Sequence, residues 1–182
     1  MAKSGERSAA RLAAVQALYQ MDVSGKSLPD ATAEFEAFWI GREVEGIAFQ
    51  PAETEFFRSV ITGVIEHQRE VDARLDQALA AGWPLKRVEA VLRAILRAGA
   101  YELLHRRDVP ARVAISEYVD VAHGFYSDDE PGLVNAVLDA IARDVRAGEL
   151  AERGGQKGGQ RAGQAGGRGR PQGKARRAPT PD

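Results

Sequence analysis

This chain of 182 residues offers few side chains that could carry chemistry, since it has three histidines and no cysteine. Without cysteine, disulfides, thiolate metal sites and cysteine nucleophiles are excluded. His67, His105 and His123 fall on three different predicted helices or helix ends, and none has a second histidine at metal-ligand spacing along the chain. The segment Ser127-Asp128-Asp129-Glu130 lacks calcium-loop spacing and indicates a solvated turn before a helix. The sequence therefore predicts no metal site.

Motifs that position catalytic groups are also missing. The chain has no Gly-x-Ser-x-Gly nucleophile elbow, no Gly-x-x-x-x-Gly-Lys-Ser/Thr phosphate loop and no Gly-x-Gly-x-x-Gly after a predicted strand. The glycines near the C-terminus do not count, because no predicted strand or helix flanks them. We expect no catalytic residues, no cofactor and no enzymatic activity.

A possible binding feature lies at the N-terminus. Lys3, Arg7 and Arg11 are spaced four residues apart, so they place three positive charges on one face of a predicted first helix. Such a face is typical of a strip that binds phosphate groups. A merely solvated helix face has the same spacing, and the spacing alone does not decide between the two interpretations.

The net charge of −1 hides two parts of opposite charge. Residues 151–182 hold eight lysines or arginines and two acids, a net of +6, whereas residues 1–150 hold 17 basic and 24 acidic residues, a net of −7. The tail lacks Leu, Ile, Val, Met, Phe, Tyr and Trp, and nine of its 32 residues are glycine. With nothing to bury, it is predicted to be disordered. We expect a helical domain over residues 1–150 and a disordered Gly/Arg-rich tail over 151–182, which would contact RNA or only aid solubility.

Apolar residues recur at helical spacing through the body and predict seven amphipathic helices with short connections. The predicted segments are residues 4–25, a short helix after Pro29, a helix from Pro51, segments around 71–79, 88–104 and 115–122, and a helix from Pro131 to Val145. Glu89 and Arg93, four residues apart, favour an ion pair along the fifth helix. Gly99 falls inside the apolar stripe of that helix, which indicates a closely packed neighbour. No strand pattern is present, so the fold class is all-α, a compact helical bundle.

Three segments together resemble a known family. Residues 14–19 read AVQALY; residues 96–103 read LRAGAYEL and are followed by Asp108-Val109-Pro110; residues 113–117 read VAISE and are followed by VNAVLD at 134–139. Their order and separations over residues 5–147 resemble the NusB family of transcription antitermination factors.

The resemblance implies two small helical bundles built around the first helix, in a cytoplasmic protein without cofactor or reaction. Members of the family bind the boxA element of nascent RNA together with NusE, a protein that also serves in the small ribosomal subunit. The pair helps RNA polymerase read through terminators, notably during ribosomal RNA transcription. The implied partners are therefore boxA RNA, NusE and the transcribing RNA polymerase complex.

The resemblance also implies RNA-binding residues. The basic N-terminal helix of the family corresponds to Lys3, Arg7 and Arg11, which would neutralise backbone phosphates. Arg112 matches a commonly basic position, where a phosphate contact and a plain surface cation both stay open. Asn135 matches a position on the polar side of the last predicted helix, where it would read a base edge or buttress a neighbouring loop.

Other matching positions have structural alternatives. Tyr19, the last residue of AVQALY, would either anchor NusE or belong to the core. For Tyr101 and Glu102, in the longest predicted helix, we expect packing and a buried hydrogen bond. The first helix has Ser8 and Ala9 where the family is often arginine-rich, so its positive strip is thin and the tail would add phosphate contacts.

Two further interpretations belong to other classes. A helical protein–protein adaptor would have the same helices without specific RNA binding. NusB-like domains also precede the catalytic domain of certain ribosomal RNA cytosine methyltransferases, but no residues remain here for a cofactor-binding domain, and such an enzyme needs cysteine. No signal peptide or membrane-spanning run is present, so we expect no membrane association. Whether the free protein forms a homodimer stays open.

Overall fold

The computed structural model describes the backbone of residues 2–38, 43–44, 47–48 and 53–155, and the side chains of residues 5–37 and 53–151. Within these ranges the chain forms eight α-helices, one pair of short strands and one 3-10 turn. The helices are α1 (Ala2–Ser24), α2 (Leu28–Phe38), α3 (Thr54–Glu66), α4 (Gln68–Ala78), α5 (Ala90–His105), α6 (Ala111–Phe125), α7 (Glu130–Val145) and α8 (Ala147–Gly155). The 3-10 turn spans Leu85–Arg87, between α4 and α5. None of the helices in these ranges combines the length and the apolar character that crossing a bilayer requires.

The predicted all-α bundle is confirmed, and the seven predicted helices correspond to α1–α7. Two elements were not predicted. Strands β1 (Glu43–Val44) and β2 (Ile47–Ala48) pair antiparallel, but two residues are too short to produce a recognisable alternation. Helix α8 continues past residue 150, the domain boundary expected from composition. Trp39, Ile40 and Pro51, assigned to predicted helices, and residues 156–182 of the tail lie outside the described residues.

Helix α1 packs against four other helices. It packs against α3 and α5 and also contacts α2 and α6. Ala10, Ala14 and Ala17 are fully buried on it, and such small side chains let the surrounding helices approach closely. Leu12 is 40% exposed although it belongs to the helical apolar spacing. Gly25, with φ of +68°, follows the helix in the left-handed conformation that glycine adopts readily at a helix end.

Helix α5 runs antiparallel to α1, since Glu102 pairs with Arg11 at one end and Arg93 pairs with Asp22 at the other. The expected close approach at Gly99 is confirmed. A Cβ atom there would lie 2.6 Å from Cδ1 of Leu138 on α7. Glycine at this position therefore lets α5 and α7 pack in direct contact.

The start of α5 differs from the prediction. Glu89 does not pair with Arg93; its carboxylate accepts hydrogen bonds from the backbone N–H groups of Val91 and Leu92 at 3.1–3.3 Å and caps the helix. Arg93 reaches Asp22 instead, which it contacts through Nη2 at 2.6 Å. Glu89 caps the helix rather than pairing with Arg93, because the first N–H groups of a helix have no partner within the helix.

Helix α8 and the residue before it hold the end of α5 and the start of α6. Arg146 is 3% exposed, and its guanidinium donates to carbonyl oxygens near the C-terminal end of α5. These are the carbonyls of Glu102, Leu103, Arg106 and Val109, at 2.9, 2.8, 2.7 and 2.6 Å. Glu149 accepts a hydrogen bond from the N–H of Ala111, the first residue of α6, at 2.7 Å. These contacts hold the last turn of α5 and the start of α6 at one end of the molecule. The N-terminal half of α1 lies at the same end, because Arg11 pairs with Glu102.

Candidate nucleic-acid interface

The N-terminal half of α1 carries the residues expected to bind phosphate. The backbone of Lys3 lies in α1, but its side chain lies outside the described residues. The described part of this face therefore consists of Arg7 and Arg11. The structure places these two arginines in different surroundings.

Arg7 is half-buried, with 34% of its side chain exposed. Its Nε donates to Oε2 of Glu53 at 2.8 Å, and its Nη1 lies 3.7 Å from Oδ2 of Asp108. The guanidinium carbon lies 4.9 Å from the ring centre of Phe56. Because a third of the side chain is exposed, Arg7 can contact a phosphate while its guanidinium keeps these partners.

Arg11 is buried, and its position corrects the expectation that it contacts phosphate. Its Nε and Nη2 donate to the two carboxylate oxygens of Glu102 at 2.8 and 2.9 Å, and Nη1 donates to Glu117 at 3.2 Å. Burial by itself would lower the pKa of Arg11, but the hydrogen bonds and charge of Glu102 outweigh it and hold the pKa above its usual value. Arg11 stays charged, and its charge compensates the buried carboxylate of Glu102.

The expected structural roles of Tyr101 and Glu102 are confirmed. Glu102 is fully buried and Tyr101 is 8% exposed. Since a buried carboxylate without a partner is strongly destabilising, the bidentate contact from Arg11 is what allows Glu102 to lie in the interior. Burial, followed by the charge of Glu102, raises the pKa of the neighbouring Tyr118 well above its usual value.

Three arginine side chains surround the buried ring of Phe56 at this end of the molecule. The guanidinium carbons of Arg7, Arg11 and Arg106 lie 4.9, 4.8 and 4.8 Å from the ring centre of Phe56. These distances are within the range of cation–π attraction. We call this group the Phe56 cluster. It joins α1, the start of α3 and the residue that follows α5.

Arg106 ties the Phe56 cluster to the turn before α6. Its Nε and Nη2 donate to the two oxygens of Asp108 at 2.8 and 2.9 Å, and its Nη1 contacts Ser59. The hydrogen bonds from Arg106 lower the pKa of Asp108 below its usual value. Because Asp108 also lies near Arg7, it remains an anion that orients both arginines.

Arg112 and Asn135 are exposed, on α6 and α7 respectively. Arg112 forms no ion pair with any side chain in the described ranges, so its charge is available. Helices α6 and α7 run antiparallel, as the hydrogen bond from Arg107 to the Val145 carbonyl at 3.3 Å shows. Asn135 lies ten residues before Val145, roughly 15 Å along the helix at 1.5 Å per residue. Arg112 therefore lies at the same end as Arg7, and Asn135 does not.

Tyr19 lies half-buried on α1 and packs against the core. This position suits either of the two roles that the sequence left open, since part of the side chain is accessible and part is packed.

Two arginines that hold this end of the molecule together, Arg106 and Arg146, were not singled out in the sequence. Their partners lie in other elements, and no local spacing could reveal them.

The described histidines also differ from the prediction. His67 and His105 do not stand apart: their ring centres lie 4.0 Å from each other, and Glu70 lies beside both. The two histidines are 38 positions apart in the sequence, so no local spacing could indicate the contact.

The fold is a helical bundle, and the charged residues at one end of it are typical of a surface that binds a partner. The NusB family model matches residues 8–143. The chain belongs to the NusB family. Its members' described activity is transcription antitermination, which is not an enzymatic reaction.

Curated relatives cover most of the chain. A transcription antitermination protein NusB of Rhodopseudomonas palustris (strain TIE-1) is 59% identical over 150 residues, which are 82% of this chain and 86% of that protein. The protein of the same description from Nitrobacter hamburgensis is 61% identical over 149 residues, 82% of this chain and 93% of that protein. The likeness thus extends over nearly the full length of these relatives.

Solved structures share the fold. NusB of T. maritima superposes with a TM-score of 0.64 at 27% identity, covering 80% of this chain and 96% of that one. A crystal structure of antitermination factors NusB and NusE in complex with dsRNA gives a TM-score of 0.61 at 24% identity, covering 75% of this chain and 96% of that one. At that identity, the second likeness concerns the fold alone.

Proposed function

We propose that this chain binds boxA RNA together with NusE and supports read-through by RNA polymerase during ribosomal RNA transcription. The observation that carries the proposal is the family match, since residues 8–143 match NusB and relatives at 59% and 61% identity are transcription antitermination proteins. The solved NusB–NusE complex with dsRNA contains both classes of partner on the same fold. These matches support RNA and NusE as partners.

The proposed RNA surface lies at the end of the molecule where α1 begins and α6 starts. Arg7 and Arg112 would contact phosphates there, because both are accessible and lie on neighbouring elements. We expect Lys3 to contribute to the same surface, since its backbone position in α1 is four residues before Arg7. Arg11 would act indirectly, since its contacts with Glu102 and Glu117 fix α1 against α5 and α6.

This surface has a modest positive charge. The charge of Arg7 is partly balanced by Glu53, with Asp108 also close by. Few free charges mean few displaced counterions, and hence weak RNA binding by the domain alone at physiological salt. We therefore expect NusE to contribute much of the affinity, with Tyr19 of α1 as a candidate contact and Asn135 contacting a more distant nucleotide or a loop.

A titration of purified full-length protein with labelled RNA tests the proposal. An RNA that contains boxA should bind at least about tenfold more tightly than a scrambled strand when NusE is present, as base-specific contacts produce differences of this size. Equal binding of the two RNAs with NusE present would contradict the proposal. If NusE still bound, the protein–protein adaptor would be the better interpretation.

A pair of arginine variants tests the location of the surface. Arg7→Ala should weaken binding of both RNAs by a similar factor and reduce the slope of log K against log salt by about 0.7 unit, as expected when one phosphate of a single strand is no longer neutralised. Arg87→Ala is the matched control, because Arg87 is exposed on the 3-10 turn near the opposite end of α5. Equal effects of the two substitutions would place the RNA elsewhere.

A further inference from the structure

Three side chains from separate elements meet at the junction of α3, α4 and α5. His67 lies between α3 and α4, Glu70 lies in the first turn of α4, and His105 is the last residue of α5. Nε2 of His105 lies 3.1 Å from Oε2 of Glu70, and Nδ1 of His67 lies 3.8 Å from the same oxygen. One donor atom from each of the three residues can be chosen so that all lie within 4.8 Å of one another.

The backbone holds two of these residues in place. The N–H of His67 donates to the carbonyl of Gly63 at 3.0 Å and ends α3, while the His67 carbonyl accepts from Val71 at 3.0 Å and begins α4. Glu70 therefore follows His67 within one helical turn. Imidazole and carboxylate at this spacing lie on the same side of a helix.

An aromatic ring supports the two imidazoles from behind. The ring of Tyr101 stacks with His105 at 5.4 Å and with His67 at 6.2 Å between centres. Tyr101 itself is fixed against α3, where a Cβ atom at Gly63 would lie 2.0 Å from its Cζ. The imidazoles thus rest on a buried platform while their edges face solvent, with 42% of His67 and 26% of His105 exposed.

The donor set selects a class of ion. Two imidazole nitrogens and one carboxylate oxygen suit Zn²⁺ and similar divalent transition metals, whereas Mg²⁺ and Ca²⁺ prefer oxygen ligands alone. Ligand atoms about 2.0–2.1 Å from a tetrahedral zinc ion lie roughly 3.3 Å from each other. The two histidine–glutamate separations of 3.1 and 3.8 Å are close to this value. The imidazole rings, which stack at 4.0 Å between centres, must turn so that a nitrogen of each points at one ion.

We propose that His67, Glu70 and His105 form a surface site for Zn²⁺ or a chemically similar divalent transition metal, with one coordination position left to water. The ion would bridge the α3–α4 junction to the last turn of α5. His105 directly precedes Arg106, which belongs to the Phe56 cluster, so the bound ion would also stabilise the end of the molecule that carries Arg7.

Isothermal titration of the untagged full-length protein with ZnCl₂ tests this site. The chain has no cysteine and only one further histidine, His123, so background binding is low. We expect one equivalent of Zn²⁺ to bind and MgCl₂ to give no signal. His105→Ala and Glu70→Gln should each weaken Zn²⁺ binding at least about tenfold, since even loss of a residue that supports a ligand has an effect of this size.

His123→Ala is the matched control, since His123 is exposed on α6 and lies outside the group of three. It should leave the affinity for Zn²⁺ unchanged. In histidine-ring NMR spectra, Zn²⁺ should shift the signals of two histidines and leave the third, assigned through His123→Ala, in place. The absence of saturable one-equivalent binding by the unaltered protein, or an equal loss of affinity in His123→Ala and His105→Ala, would overturn the proposal.

Discussion

The two described arginines on the basic side of α1 differ in what surrounds their charge. Arg7 keeps a third of its side chain in solvent, whereas Arg11 is 2% exposed and contacts both oxygens of Glu102. A buried ion pair adds little stability relative to an apolar pair, but removing one partner leaves a buried charge uncompensated. The contribution of Arg11 is therefore to permit Glu102 in the interior and to fix α1 against α5.

Replacing Arg11 by methionine should strongly destabilise the fold. We expect Arg11→Met to lower the free energy of unfolding by about 3–5 kcal/mol, because Glu102 loses its bidentate partner. The double variant Arg11→Met/Glu102→Leu should recover part of this loss, since no charge is then left buried. Urea denaturation followed by circular dichroism measures both.

Arg112→Met is the control, as it removes an exposed arginine from α6. Its effect on the free energy of unfolding should stay within about 0.5 kcal/mol, as for most surface substitutions. If Arg11→Met proved equally mild, Arg11 would not be a buried partner of Glu102 in solution, and its role as a phosphate contact would return.

At the scale of elements, the contact between α5 and α7 depends on Gly99. A Cβ atom there would meet Cδ1 of Leu138 at 2.6 Å and Cδ2 of Tyr118 at 3.2 Å, and both side chains are fully buried. The glycine lowers the helix propensity of α5, but it lets α6 and α7 approach. Close packing and helix propensity thus oppose each other at this position.

Gly99→Ala should destabilise the protein by about 1–3 kcal/mol, because the buried neighbours must shift to accommodate one methyl group. Gly124→Ala is the matched control, since Gly124 lies in α6 with nothing within 4 Å of its added Cβ. That substitution should change the free energy of unfolding by no more than about 0.5 kcal/mol, because Gly124 lies in the last turn of α6, where helix propensity has less effect. Thermal and urea unfolding should show a clear loss of stability for Gly99→Ala only. A stabilised Gly99→Ala protein would show that α5 and α7 are not in direct contact.

The elements were largely predictable because helical periodicity and the Gly and Pro signals are local. The close contact at Gly99 was predicted for the same reason, since a glycine inside an apolar stripe is visible in one helix. The contacts between elements were not. The burial of Arg11 depends on Glu102, which lies 91 residues away along the chain, and the meeting of His67 with His105 depends on how α3 and α5 pack. Four-residue spacing identified a charged side of α1 without showing which charges the other helices cover.

Across the whole molecule, the negative charge is concentrated in the part before residue 151 and the positive charge in the tail. The part before residue 151 has a net charge of −7 and the tail has +6. Helix α8 extends to Gly155, and near its start Glu149 accepts a hydrogen bond from the first N–H of α6. A truncation that tests the tail should therefore begin after Gly155, where seven basic residues and one acid remain.

Deleting residues 156–182 should weaken binding of any RNA and reduce the slope of log K against log salt by roughly two to five units, because each phosphate that the tail neutralises adds up to about 0.7 unit to the slope. The preference for boxA over a scrambled strand should persist, because charge contacts carry little sequence information. Fluorescence anisotropy at several salt concentrations measures both quantities. An unchanged slope would show that the tail does not contact RNA and would favour its role as a solubilising appendage.

We expect this member of the NusB family to support antitermination through boxA RNA and NusE. Single-round transcription with purified RNA polymerase and NusE, on templates with a terminator downstream of an intact or scrambled boxA, tests it most directly. Adding this protein should raise read-through on the intact boxA template. The double variant Arg7→Ala/Arg112→Ala should reduce the effect, whereas Arg87→Ala should not. Equal read-through on the intact and scrambled templates would contradict it.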